Sequence, residues 1–228
     1  MLACIPSATL HGVDGRSVSV EVHVSAGLPG FTVVGLPDAA VRESRDRVRA
    51  ALLSSRLSWP SRRVTVNLAP SGVRKTGAGL DLPIAIGLLV AADVLPSACV
   101  EGTGFVGELG LDGSVRPVPG IASLVASIAC DQIVVPVGAS AEAVLVAGER
   151  VRPASTVAEL VAALTGRSPW PAVPGVTDAS STGVSEPDLL DVRGQLVARR
   201  ALEIAAAGGH HLLLVGAPGS GKTMLATR

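Results

Sequence analysis

Between Ser17 and Val24 apolar and polar residues alternate without a break. Val18, Val20, Val22 and Val24 fall on one side, and Ser17, Ser19, Glu21 and His23 on the other. A period of two predicts a half-buried strand. Residues 3–10 read as its antiparallel partner, joined through a turn at Asp14-Gly15. Residues 31–34 make a short third strand. Asp38 then caps a helix that runs to about Arg56, with Val41, Val48 and Leu52 as its apolar stripe. Residues 63–68 predict another strand, and 70–79 a Gly-rich loop. Asp81 opens a buried helix, and Pro83 is tolerated in its first turn. Further on, residues 105–109 and 114–118 read as a hairpin around Asp112-Gly113. A small-residue helix (121–129), a strand (132–136) and two helices (near 140–146 and 156–164) complete an α+β pattern.

The pattern stops at Gly166. Residues 166–187 carry Pro169, Pro171, Pro174 and Pro187 and almost no apolar periodicity, which is the composition of an extended linker. Residues 1–165 are thus expected to form one domain and 188–228 the start of another. The second segment predicts a helix over 195–207 ended by Gly208-Gly209. An apolar strand (211–215), a Gly-rich loop and the first turn of a further helix follow. His210 and His211, just ahead of that strand, read as packing or capping residues.

The loop carries the chemistry. Gly216, Ala217, Pro218, Gly219, Ser220, Gly221, Lys222 and Thr223 fit G-x-x-x-x-G-K-[ST] at every fixed position. Successive backbone N–H groups in such a loop can cradle the charge of a triphosphate. Glycine permits the dihedrals and the close approach this needs, and the helix that follows aims its positive end at the phosphates. Lys222 is expected to reach the β- and γ-phosphates and Thr223 to place its hydroxyl on Mg²⁺, with Met224 beside them. The expected cofactors are ATP and Mg²⁺. The acidic strand end that completes such a site is not found in these 228 residues, so the chain reads as part of a longer protein and as inactive by itself.

Charge and cysteine content narrow the classes. Lys+Arg and Asp+Glu are both 19, so no global charge draws the chain to nucleic acid or to anionic membrane. Only Lys75 and Lys222 are lysines; the other 17 cations are arginines. Arg42, Arg45, Arg49 and Arg56 recur on roughly one face of the predicted helix. They are candidate DNA-phosphate contacts, against the plainer reading of a solvated helix laced with ion pairs to Glu43 and Asp46. Cys4, Cys99 and Cys130 lie far apart, without a CxxC or zinc spacing, and read as reduced thiols. Residues 1–10 lack a signal-peptide pattern. The apolar stretch 80–95 is shorter than the ~20 residues of a membrane span. A cytoplasmic protein without a membrane partner is expected.

Several segments carry a resemblance. Residues 188–195 (DLLDVRGQ), Arg199-Arg200-Ala201-Leu202-Glu203 and residues 209–216 (GHHLLLVG) are similar to the magnesium-chelatase-like AAA+ ATPases. Gly35-Leu36-Pro37-Asp38, Val41–Arg45, Val66–Pro70 and Asp81–Gly87 add a likeness to the YifB/ComM family over nearly the whole chain. The resemblance implies an N-terminal domain with the fold of the Lon protease domain (ribosomal protein S5 domain 2-like), followed by an α/β P-loop AAA+ module in a homo-hexameric ring. It implies ATP-driven work on DNA, such as branch migration in recombination or natural transformation. Val192, Gly194 and Gln195 fall where this class contacts adenine. The same resemblance puts Gly79 and Ala122 at the positions of the Lon-type nucleophilic Ser and its Lys base. Neither side chain can do that chemistry, and a substitute dyad would have to come from Ser71, Lys75 or Thr76. Two alternatives stay open: an ATP-dependent Lon-like protease, and a magnesium chelatase ATPase subunit, which has no such preceding domain.

Overall fold

A computed structural model describes residues 1–173 and 188–227. The chain divides into two units, 1–176 and 177–228. Of the stretch expected as a linker, 166–173 is described, and Trp170 packs half-buried on the first unit's core. Residues 174–187 lie outside the described residues.

In the first unit the alternating valines act as predicted. β1 (Leu2–His11) and β2 (Asp14–Ser25) pair antiparallel from Leu2↔His23 to His11↔Asp14. The turn is Gly12-Val13, not Asp14-Gly15. Gly12, at φ +64, takes the first central position, where a two-residue hairpin turn accepts glycine, and Asp14 is already in the ladder. β3 (Gly30–Val34) runs parallel to β4 (Arg63–Ala69), which pairs antiparallel with β2, giving the sheet order β1-β2-β4-β3. A parallel pair needs a long crossover. Here it is α1 (Ala39–Arg42) and α2 (Ser44–Ser54). The single helix expected over 38–56 is therefore two. The ladder tightens at Glu43, whose carbonyl accepts from the Asp46 N–H, and Arg56 lies past the end at φ +57.

α3 (Asp81–Ala91) is buried at all eleven positions, and it packs against β1, β2 and α2. The expected hairpin over 105–118 is corrected in part. β6 (Glu108–Leu109) and β7 (Val115–Arg116) do pair, but β5 (Thr103–Phe105) leaves for another sheet. There it lies parallel to β8 (Gln132–Pro136), which lies parallel to β9 (Val151–Ala154). α4 (Ile121–Ala126), shorter than expected, and α5 (Ser140–Ala147) pack together and share a second core with Val106, Ile133 and Val135. α6 (Val157–Leu164) starts at Thr156, whose hydroxyl accepts from the Glu159 N–H at 3.2 Å.

The second unit holds α7 (Leu196–Gly208), capped by Gly209 at φ +62, and α8 (Lys222–Ala226). Residues 211–215 form no strand among the described residues. The apolar sequence is present, but Leu213 and Val215 are 84% and 85% exposed, and no described segment offers a ladder partner. A strand needs a neighbour as well as a propensity.

Candidate functional site

The loop after residue 215 has the backbone its glycines predict. Gly219 and Gly221 stand at φ +80 and +83, in the left-handed region that side chains avoid. Lys222 folds back over the loop. Its ammonium donates to the carbonyls of Gly216 (2.9 Å) and Ala217 (2.8 Å) and contacts Ser220 Oγ at 3.4 Å. Thr223 and Met224 are exposed in the first turn of α8, and Leu225 is buried, donating its N–H to the Gly221 carbonyl. Lys222 is thus tied to the loop, and Thr223 follows it in the first turn of α8.

Gln195 joins this loop to the segment ahead of α7. It and Gly194 take positive φ (+54 and +76), and the Gln195 Nε2 donates to the Ser220 carbonyl at 3.1 Å. Val192 is buried, and its carbonyl accepts from Arg199 Nη1 at 3.2 Å. Gly194, Gln195, Leu196 and residues 212–215 line an open cavity of about 600 Å³. This is within the ~300–1,000 Å³ of small-molecule sites. Left-handed glycines in the loop, a cation held over it and a flat cavity reached by Gln195 fit a nucleotide. No cluster of three His, Cys, Asp or Glu suited to a metal occurs among the described residues. The imidazole of His210 lies over Gly208, a packing role.

The loop 70–79 of the first unit presents a different picture. Gly79 lines a cavity of about 290 Å³ with Thr9, Thr76, Glu108, Val118 and Pro119, whereas Ala122 is outside that lining. The Ala122 N–H donates to Glu142 at 3.2 Å. Thr9 and Thr76 bind each other's chains: Thr9 Oγ1 accepts from the Thr76 N–H (3.1 Å), and Thr76 Oγ1 donates to the Leu10 carbonyl (3.2 Å). Lys75 is fully buried, with its ammonium on the Pro70 carbonyl, and burial lowers its pKa. Ser71 is exposed, and neither it nor Lys75 lines the cavity.

The signature segments of this unit turn out to hold the loop in place. Asp38 caps α1 through Val41 N–H (2.9 Å) and also accepts from the Gly77 N–H (3.0 Å). Gly35 sits at φ +98, where an added Cβ would lie 2.2 Å from the Leu68 carbonyl oxygen. Arg47, which the sequence did not single out, grips buried Asp81 through Nε (2.6 Å) and Nη2 (2.9 Å), and that Nη2 also reaches the Ala40 carbonyl (2.7 Å). Asp81 accepts from the Leu109 N–H at 3.3 Å. Burial pushes the Asp81 carboxyl up to about 6, against the pull of Arg47.

Arg42, Arg45, Arg49 and Arg56 are all exposed. The helix break and the left-handed Arg56 separate them. Arg45 and Arg49 remain one turn apart on α2 and share a cavity with Arg62. The ion pairs expected along this helix reduce to Glu43 with Arg47, at 3.7 Å.

Comparison with known proteins covers both units. Residues 20–139 match the family model for subunit ChlI of Mg-chelatase, and residues 188–228 that for magnesium chelatase, subunit ChlI. Competence protein ComM of Haemophilus influenzae is 43% identical over 232 residues, covering 100% of this chain and 46% of its own. The YifB protein of Escherichia coli is 44% identical over 229 residues, covering 100% and 45%. An uncharacterised protein of Mycobacterium tuberculosis is 45% identical over 226 residues, covering 97% and 44%. The chain spans a little under half the length of these relatives.

Proposed function

From the chain's membership of the ChlI-type magnesium-chelatase family, as a magnesium-chelatase-like ATPase of the YifB/ComM group, we propose that it is the N-terminal part of an ATP-driven AAA+ motor acting on DNA. The observation that carries this reading is the loop of Gly216–Thr223, with the Lys222 ammonium held across it and Gln195 bonded to Ser220. Lys222 and the loop N–H groups hold the triphosphate, Thr223 holds its Mg²⁺, and Val192, Gly194 and Gln195 approach the adenine. When bound, Mg²⁺ neutralises charge on the phosphates. Lys222 supplies a further cation where charge develops.

The DNA partner and a homo-hexameric ring are what the resemblance to the YifB/ComM family implies. The first unit is read as a Lon-protease-like domain without peptidase chemistry, one that extends past residue 165 to take in Trp170. The loop 70–79, where Gly79 carries no nucleophile, supports the non-proteolytic reading over an ATP-dependent protease. The likeness of residues 20–139 to subunit ChlI keeps a chelatase role as the alternative.

The test is Lys222→Ala in the longer protein. A charge-assisted contact contributes about 1.5–3 kcal/mol, so nucleotide affinity falls roughly 10- to 150-fold and ATP turnover falls further. Unchanged turnover refutes the assignment. Turnover stimulated by DNA supports the motor, and turnover stimulated only by a tetrapyrrole and Mg²⁺ supports the chelatase.

A further inference from the structure

One face of the first unit belongs to neither site above. Arg45 and Arg49 of α2, with Arg62 from the segment before β4, line a cavity of about 160 Å³ together with Phe31 of β3 and Trp59. The two rings lie with centroids 5.7 Å apart at 35°, both half-buried, with their inner sides on the core. All three arginines are exposed, and none pairs with a carboxylate among the described residues. Glu43 is turned to Arg47, and Asp46 does not line the cavity.

Three unpaired guanidinium groups around two fixed rings select a ligand that has several anionic groups and flat apolar faces. The cavity is too small for a free metabolite, whose sites measure about 300–1,000 Å³. Its size suits one unit of a longer chain. A duplex backbone would use the arginines and leave the rings idle. We propose that the Arg45–Arg49–Arg62 face binds single-stranded DNA, with the arginines on successive phosphates and a base against the Trp59–Phe31 pair. Stacking on an aromatic ring beside a basic track is how proteins hold single strands without reading sequence. The choice of DNA rests on the motor reading above; the surface itself does not.

The test measures binding of a labelled oligothymidylate to the 228-residue chain without ATP. Three phosphate contacts at a slope of about 0.7 each weaken binding roughly 20-fold between about 50 and 200 mM salt. Arg45→Gln with Arg49→Gln leaves one contact and a fall of roughly 3-fold. Trp59→Ala weakens binding roughly 5- to 150-fold, whereas Trp59→Phe keeps a ring and stays close to the parent. Because Trp59 also packs on the core, the exposed arginine variants decide the matter if Trp59→Ala fails to fold. The proposal is overturned if the parent chain does not bind, or if the double arginine variant keeps the parent's affinity and salt slope. It is also overturned if a folded Trp59→Ala binds as the parent does, or if duplex DNA, an RNA of the same length or heparin binds more tightly than the oligothymidylate. Failure here, with DNA-stimulated turnover intact in the longer protein, removes the surface and leaves the motor. Binding here, with turnover unaffected by Lys222→Ala, removes the motor and leaves the surface.

Discussion

Replacing Arg47 by Met strips the partner from a carboxylate that has almost no other access to charge. The Asp81 side chain is 1% exposed and that of Arg47 20%, so solvent screens this pair little. Arg47 makes two charged hydrogen bonds to Asp81, at 2.6 and 2.9 Å, and a third to the Ala40 carbonyl, linking α1, α2 and α3. Removing one partner of a buried pair costs about 3–5 kcal/mol. For a unit of this size each kcal/mol moves the midpoint by roughly 2–4 °C, so Arg47→Met should melt about 6–20 °C below the parent at neutral pH. The dependence on pH has a definite sign. Burial holds the Asp81 pKa at about 6 when folded, against an ordinary 3.8 when unfolded, so the folded state holds more protons between those values. Its ionisation therefore costs the parent up to about 3 kcal/mol above pH 6, a cost that fades as pH falls towards 4. Without Arg47 the folded value rises further. The variant's deficit should then be largest near pH 8 and shrink as Asp81 takes up its proton. Circular-dichroism melts at several pH values, with Asp81→Asn as the control that cannot titrate, give the comparison. A variant within about 2 °C of the parent at pH 8, or a deficit that grows on acidification, would refute the reasoning.

Two further outcomes follow from the same unit. Gly35→Ala should cost about 2 kcal/mol or more, because φ +98 is disfavoured for a side chain and the new Cβ would meet the Leu68 carbonyl at 2.2 Å; a melt indistinguishable from the parent contradicts it. The chain should be inert to fluorophosphonate probes, since Gly79 has no nucleophile and the Thr9 and Thr76 hydroxyls are engaged in pinning the loop; mass spectrometry showing label anywhere in residues 70–81 would overturn this.

Local signals in the sequence located what local physics controls. The alternating valines of β2, the Asp38 cap, the apolar run of α3 after Asp81 and the Lys222 loop all depend on residues within a few positions of one another. Features that depend on distant partners were hidden. The grip of Arg47 on Asp81 spans 34 residues, and Arg62 with Trp59 joins α2 only because β4 returns beside β3. β9 carries Pro153, a residue type that argues against a strand in sequence; it is tolerated there because β9 is the edge of its sheet. The converse error, a strand expected at 211–215, came from reading apolar propensity where no described neighbour completes a ladder.

The position of the Lys222 ammonium has a consequence for how an anion would be taken up. Two loop carbonyls already occupy its donors, so capture is an exchange and not a simple addition. Each bond given up returns about 1 kcal/mol of opposing free energy, and the loop loses the strut that fixes its curvature. An anion with too few oxygens to replace both carbonyls would therefore gain little from the same cation.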